Sequence, residues 1–339
     1  MDPEAVACGE RVPHGSSDDP DLLDFSANTN PLVPDGAEAV YREAFDAART
    51  YPPDDYPEYR EAAAEYVGCA REDVVATPGG LAAIRLAVEV TVDRGDSVLV
   101  PYPSFGEYAR EVRLQGARVE PVPHDELFDV DPSELAEHAL AVVCNPNNPT
   151  GEAYVQGKLE AFAARCAAAG TPLLVDEAFL GFTDRPSLAG TEGVVVARSL
   201  TKLFGLPGIR AGFVVATGNL RARLDVARRA WALGTPAAAV GAYCMGCEAF
   251  VAETRERVRA ERERMAETLG ERFEVHRSDS PFLLLDVGER DTSEIVERAR
   301  EHGIAVRDAT TFRGLDSHVR VAVRLPGEND RLLEVLGDA

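Results

Sequence analysis

The sequence predicts an α/β fold: a large domain on a mostly parallel sheet covered by helices, followed by a smaller α+β domain at the C-terminal end. From about residue 74 to 216, short apolar runs alternate with amphipathic segments. This alternation indicates a parallel sheet that is buried on both faces. From about residue 236, a long helical pattern leads instead into short strands with two further helices.

The predicted strands of the large sheet are short apolar runs. They are SVLVPYP (97–103), ALAVVCNP (139–146), PLLVDEAF (172–179), GVVVARS (193–199) and IRAGFVVA (209–216). Between them, EYAREVRLQG and KLEAFAARCAAAG have helical periodicity, and the second ends at a glycine, Gly170, as helices commonly do. The predicted strands of the small domain are FEVHR, PFLLLDV, IAVRD and HVRVAVR.

We expect three parts along the chain of 339 residues, which is long enough for a sizeable buried core. Residues 1–35 are rich in Pro, Asp and Ser, so we expect an irregular segment that packs on the active site and the small domain. Residues 36–244 are the predicted large domain. Residues 245–339 are the predicted small domain.

The chain is strongly acidic, with a formal net charge of −23, and of its 35 basic residues only Lys158 and Lys202 are lysines. This charge disfavours nucleic acids and anionic membranes as partners, and no apolar run approaches the length of a membrane span. Acidic residues spread along the whole chain are typical of halophilic proteins, because dense salt screens their mutual repulsion.

The six cysteines are scattered and no signal-peptide pattern is visible, which predicts a cytoplasmic protein with reduced thiols. Cys244 and Cys247 have the spacing of a metal or redox pair. No second pair or histidine flanks them, and their Ala-rich surroundings indicate a buried helix. We therefore expect a structural role for them and no metal site.

Polar residues follow several predicted strands, where open α/β sheets bind their ligands. The glycine pair before the helix GLAAIRLAV leaves backbone N–H groups free for an anion such as phosphate. Lysine differs from arginine in one relevant way: it can lose its proton near neutral pH and attack a carbonyl. The strand-end residues are Gly79, Gly80, Asn145, Asn147, Asn148, Asp176, Ser199, Lys202 and Arg210.

The motifs NPNNPTG, VDEAF, SLTK and GIRAGF, in this order, resemble those of the class I/II aminotransferase superfamily of fold type I. The resemblance implies pyridoxal 5'-phosphate as the cofactor and a homodimer with shared active sites. It implies that Lys202 forms the Schiff base with the cofactor, that Asp176 pairs with the pyridine nitrogen, and that Asn148 donates to the phenolic oxygen.

The resemblance implies further roles around the cofactor and the substrate. The implied phosphate ligands are Ser199, Arg210 and the backbone at Gly80 and Leu81, with Tyr51 reaching in from the partner subunit. Phe105 is the implied stacking ring, and Arg320 the implied ligand of the substrate carboxylate. Pro78 and Leu81 depart from the usual pattern, which puts more of the phosphate binding on the backbone.

Two branches of the superfamily are close in size and fold: histidinol-phosphate aminotransferases and threonine-phosphate decarboxylases. The opening His-Gly pair at His14, the DFSANTNPL segment that contains Asn30, and Phe179 in place of a tyrosine all resemble the decarboxylase branch. We therefore expect decarboxylation of L-threonine O-3-phosphate to (R)-1-aminopropan-2-yl phosphate, a building block of the cobalamin side chain. The alternative is transamination of histidinol phosphate or of another amino acid.

The expected substrate ligands are Arg320, Arg324, Asn30 and His14, with Arg307 or Arg313 nearby. A small phosphorylated amino acid carries two anions, and these arginines are numerous enough for both. A non-catalytic DNA-binding regulator on this fold is disfavoured, because the chain has no basic patch and no spare length for a DNA-binding domain.

Overall fold

The computed structural model describes residues 1–337. Its strands are β1 (Leu23–Asp24), β2 (Val74–Thr77), β3 (Ser97–Tyr102), β4 (Arg118–Pro123), β5 (Leu140–Cys144), β6 (Leu173–Asp176), β7 (Val194–Ser199), β8 (Gly212–Val215), β9 (Glu274–Val275), β10 (Phe282–Asp286), β11 (Ile304–Ala305), β12 (Arg307–Asp308) and β13 (His318–Ala322).

Helices connect and cover these strands. They are α1 (Pro3–Cys8), α2 (Ala37–Ala47), α3 (Pro57–Val67), α4 (Gly80–Thr91), α5 (Glu107–Leu114), α6 (Pro132–Leu135), α7 (Gln156–Ala169), α8 (Gly218–Ala227), α9 (Thr235–Met245), α10 (Glu248–Leu269), α11 (Thr292–Glu301) and α12 (Pro326–Gly337). Among residues 1–337, none of them combines the length and apolar character that a membrane span requires.

A seven-stranded sheet with the order β2-β8-β7-β6-β5-β3-β4 forms the centre of the fold. Strands β4, β3, β5, β6 and β7 are mutually parallel, and β8 runs antiparallel to both of its neighbours. The predicted mostly parallel sheet is thus confirmed. The edge strand β4 was not predicted, because its sequence RVEPVP contains two prolines and is partly exposed, unlike the fully buried central strands.

Both faces of this sheet are buried, and successive side chains along each strand point to opposite faces. In β6, Leu173 and Val175 pack into one apolar cluster with α3, α7 and α9, whereas Leu174 packs into a second cluster with α4, α5 and α8. This is why the central strands are continuous apolar runs. The carboxyl ends of these strands are left as the polar edge of the sheet.

The C-terminal part forms a four-stranded antiparallel sheet with the order β12-β13-β10-β9. The N-terminal segment is more regular than expected. Asp2 caps α1 by accepting from the N–H of Ala5 at 2.9 Å, with Pro3 in the first turn. Strand β1 pairs in parallel with β11, which leaves the predicted IAVRD strand divided between two sheets. Strands this short give little periodic signal in the sequence.

Candidate active site

Lys202 lies three residues beyond the end of β7, in a loop tied to the N-terminal segment by the N–H of Asn30, which donates to the Lys202 carbonyl at 2.9 Å. The pKa of Lys202 is lowered to about 8, mainly by burial of the amine and also by the positive charges of Arg320 and Arg210. The carboxylates of Asp176 and Asp24 act in the opposite direction and raise it. A neutral, nucleophilic amine is therefore accessible near neutral pH.

Asp176 ends β6 and is buried, with 5% of its surface exposed. Its Oδ2 accepts a hydrogen bond from the hydroxyl of Tyr108 at 2.5 Å, and its Oδ1 accepts from the N–H of Ala178 at 3.0 Å. Burial raises the pKa of Asp176, whereas Tyr108, Ala178 and two nearby cations favour the ionised form. The carboxylate keeps free lone pairs for a cationic group, such as a protonated ring nitrogen.

The N-terminus of α4, the end of β7 and Arg210 come together as an anion cradle. Gly79 has a positive φ of 94°, and a Cβ there would lie 2.7 Å from Nη2 of Arg210. A Cβ on Gly80 would lie 3.0 Å from Cβ of Ser199. No acidic residue stands in the first turn of this 12-residue helix. Free N–H groups at Gly80 and Leu81, a hydroxyl and a guanidinium suit a dianionic phosphate.

Arg320 is a buried cation, 5% exposed, on strand β13. Its Nη1 donates to the side-chain oxygen of Asn148, and its Nη2 donates to the carbonyl of Ser26 at 3.3 Å. Burial and the neighbouring charge of Arg307 lower the pKa of Arg320 to about 9. Within residues 1–337, no carboxylate forms an ion pair with it, and its Nε has no partner. A buried guanidinium that has no carboxylate partner is suited to bind an anionic ligand.

A cleft of about 560 Å³ opens beside Arg320 and Asn148. His14, Phe105 and Arg313 also line it, and the rings of His14 and Phe105 lie 5.9 Å apart. His14 is oriented by Glu107, with its Nε2 at 3.0 Å from Oε1. The cleft lining includes neither Lys202 nor Asp176.

Arg324 and Asn30 do not line this cleft, and the side chains of both already have partners within the protein. Arg324 pairs with Glu328 at 3.1 Å and donates to the carbonyl of Asp24 at 3.0 Å. The side-chain amide of Asn30 forms hydrogen bonds within the protein; its partners are Leu203, Thr254, Leu32 and Arg257. Both side chains fix the N-terminal segment, a role that the sequence motif does not distinguish from ligand binding.

Tyr51 is 78% exposed, and its ring lies 4.5 Å from that of Trp231. It does not line the cleft of its own chain. Tyr108 is the main site residue that the sequence-based reasoning missed. Its signal was weak: it lies three residues after Phe105, on the buried face of a short helix, where an aromatic residue ordinarily indicates core packing.

A lysine with a lowered pKa, a buried carboxylate for a ring nitrogen and a cradle for a phosphate together define a pyridoxal 5'-phosphate enzyme. The comparisons agree. A model of the family "Aminotransferase class I and II" matches residues 20–336, and the chain belongs to this family. Pyridoxal 5'-phosphate is its cofactor, and the protein is an aminotransferase or a threonine-phosphate decarboxylase.

Curated relatives fall in both branches. The chain is 29% identical to histidinol-phosphate aminotransferase 1 of Archaeoglobus fulgidus over 93% of this chain and 98% of that protein. It is also 29% identical to the threonine-phosphate decarboxylase of Salmonella typhimurium, over 93% and 90% of the two chains. The histidinol-phosphate aminotransferase structure from Clostridium acetobutylicum matches with a TM-score of 0.87 at 23% identity, covering 94% and 98% of the chains, which shows the shared fold.

Proposed function

We propose that this protein decarboxylates L-threonine O-3-phosphate to (R)-1-aminopropan-2-yl phosphate, as a cytoplasmic homodimer that serves cobalamin synthesis. The observation that carries the proposal is Phe179. It is buried two residues after Glu177, and its ring packs edge-on against Phe282 at 5.1 Å. The motif of the aminotransferase branch places a tyrosine there, and a phenylalanine offers no hydroxyl to the phenolic oxygen of the cofactor.

Pyridoxal 5'-phosphate, when bound, supplies an electron sink for the pair of electrons left behind when a bond to Cα breaks. The protein decides which bond that is by fixing the substrate anions. We assign the α-carboxylate to Arg320, and Asn148 orients its guanidinium by accepting a hydrogen bond from Nη1. Lys202 then serves as the acid that delivers a proton from Nζ to Cα once CO2 has left.

Arg313 suits the phosphate of the substrate. Its guanidinium lies over the ring of Tyr102 at 4.6 Å and lines the same cleft as Arg320. Within residues 1–337, no carboxylate forms an ion pair with Arg313. Arg307, in contrast, is engaged by the carbonyl of Pro13 and the hydroxyl of Thr311, at 3.1 and 2.7 Å. The two arginines that remain available can hold a carboxylate and a phosphate at the same time.

The alternative reaction is transamination of histidinol phosphate or a related amine. The relative from Archaeoglobus fulgidus bears that name, and a substrate with an amino group and a phosphate meets the same cofactor residues. Lys202 and Asp176 serve both reactions equally, so they do not discriminate between them.

An assay of the purified holoenzyme separates the two functions. We expect CO2 from L-threonine O-3-phosphate with no 2-oxo acid present, and no amino transfer from histidinol phosphate to 2-oxoglutarate. Lys202→Ala abolishes the release, whereas Lys158→Ala, at an exposed position of α7, leaves it unchanged. Amino transfer that depends on the 2-oxo acid, without release of CO2, would refute the proposal.

A further inference from the structure

We propose that Tyr108 is a positioning residue that controls the charge of Asp176 and thereby keeps a proton on the ring nitrogen of the cofactor. The proposal depends on pyridoxal 5'-phosphate as cofactor and not on the choice between decarboxylation and transamination. Tyr108 lies on α5, one turn after Phe105, and its ring packs edge-on against that of Phe105 at 5.6 Å.

The contact between Tyr108 and Asp176 is short and dry. Tyr108 is 1% exposed and Asp176 is 5% exposed. Their oxygens lie 2.5 Å apart, the distance of a charge-assisted hydrogen bond between a hydroxyl and a carboxylate. A bond of this kind is stronger in a water-excluded site than at the surface, because the local dielectric constant is low.

Several other groups surround Asp176, and none duplicates the hydroxyl. Cys144 lies opposite it on β5, but its thiol donates to the carbonyl of Pro146 at 3.2 Å. Arg198 of β7 is paired with Glu177 at 3.1 Å. Lys202 acts on Asp176 through its charge alone, and the remaining direct donor is the backbone N–H of Ala178. Tyr108 is thus the one side chain among residues 1–337 that donates a hydrogen bond to Asp176.

The hydrogen bond from Tyr108 has a consequence for the shared proton. The carboxylate of Asp176 and the ring nitrogen facing it compete for one proton. Donation from Tyr108 stabilises the carboxylate and makes it a weaker base, so the proton stays on the nitrogen. Without the hydroxyl, the proton moves towards Asp176, and the ring becomes a poorer electron sink.

The test is Tyr108→Phe, reconstituted with pyridoxal 5'-phosphate that carries nitrogen-15 in the ring. We expect the nitrogen resonance to move from the pyridinium position towards that of unprotonated pyridine. We also expect the cofactor to dissociate about tenfold more readily. The matched control is Tyr59→Phe, which removes another fully buried hydroxyl, one that donates to the carbonyl of Gly212 at 2.8 Å. We expect Tyr59→Phe to leave the nitrogen resonance at the pyridinium position.

A double-mutant cycle with Asp176→Asn distinguishes control of charge from simple packing. If Tyr108 acts through the carboxylate, Tyr108→Phe shifts the nitrogen resonance when Asp176 is present and does not shift it in the Asp176→Asn background. An unchanged resonance in Tyr108→Phe, or equal shifts in both backgrounds, would overturn the proposal. If Tyr108→Phe does not fold, fluorinated tyrosine at position 108 gives a second test, because its hydroxyl is a stronger hydrogen-bond donor. The ring nitrogen must then keep its pyridinium resonance to a higher pH than it does with tyrosine.

Discussion

Arg320 and Asn148 are hydrogen-bonded to each other, although they come from different sheets of the molecule: Nη1 of Arg320 on β13 donates to Oδ1 of Asn148 in the loop after β5. The contact joins a group proposed to hold the substrate carboxylate to a group proposed to hold the cofactor ring. In this proposal, two side chains that touch set the placement of the substrate carboxylate relative to the cofactor ring.

Replacing Arg320 tests this placement. Arg320→Gln removes a charged donor from a buried site, and we expect kcat/KM to fall by about 10- to 100-fold. Arg324→Gln is the matched control, because Arg324 is paired with Glu328. We expect it to lower the free energy of unfolding by about 1–3 kcal/mol, because it breaks a largely buried ion pair and a hydrogen bond to the carbonyl of Asp24, and to leave kcat/KM unchanged. An equal loss of kcat/KM in both variants would contradict the assignment.

The lowered pKa of Lys202, about 8, predicts how cofactor capture depends on pH. The neutral amine is the nucleophile, so the capture rate in apoprotein rises about tenfold per pH unit below the pKa and levels off above it. Stopped-flow absorbance of the cofactor measures this rate. A midpoint near 10.5, the ordinary lysine value, would show that burial does not act on Lys202. Lys158→Ala should not alter the profile.

The cradle predicts a steric effect at Gly80. A methyl group there would lie 3.0 Å from Cβ of Ser199, an atom fixed by the β7 backbone, so Gly80→Ala pushes the N-terminus of α4 away from the end of β7 and distorts the proposed phosphate cradle. We expect the dissociation constant of pyridoxal 5'-phosphate to rise about tenfold, and that of pyridoxal, which lacks the phosphate, to change much less. Gly157→Ala, where the new methyl meets open space, is the control. Equal weakening of both ligands would argue against a phosphate cradle here.

The proposed homodimer predicts that Tyr51, which is exposed in the single chain, contacts the cofactor of the partner subunit. We expect the protein to sediment with twice the mass of one chain, and Tyr51→Phe to release the cofactor faster. Mixing Lys202→Ala and Tyr51→Phe subunits should then give hybrids in which one site has both residues. Activity above the mean of the two parent proteins supports this arrangement. Hybrids that show only the mean would place Tyr51 outside the partner's site.

Much of the fold was predictable because the central strands are buried on both faces. Such strands are continuous apolar runs, as in β7, and the polar residues after them mark the binding edge of the sheet. The helix end at Gly170 was also predictable, since its φ of 76° favours glycine. Strand β4 and the two-residue strand β1 carry too little apolar pattern to be recognised.

The positions of the proposed cofactor residues follow more directly from the sequence than those of the proposed substrate residues. Asp176 is the last residue of β6 and Lys202 lies three residues beyond β7, so their positions in the sequence translate into positions at the sheet edge. Asn30 and Arg324 lie in segments whose orientation depends on tertiary packing, and the sequence alone does not show that their polar groups are already paired. Tyr108 could not be recognised as a site residue from the sequence, because a buried aromatic residue on a helix is ordinarily part of the core. The structure shows that its hydroxyl donates to Asp176.

The most direct test of the proposed reaction follows the carboxyl carbon of the substrate. L-threonine O-3-phosphate labelled with carbon-13 at C1 is added in a single turnover, without any 2-oxo acid, and both products are observed by NMR. Decarboxylation predicts that all label appears in CO2 and bicarbonate, with (R)-1-aminopropan-2-yl phosphate as the amine. Label retained in a 2-oxo acid, with the amino group left on the cofactor, would contradict the proposal and assign the protein to the transaminases.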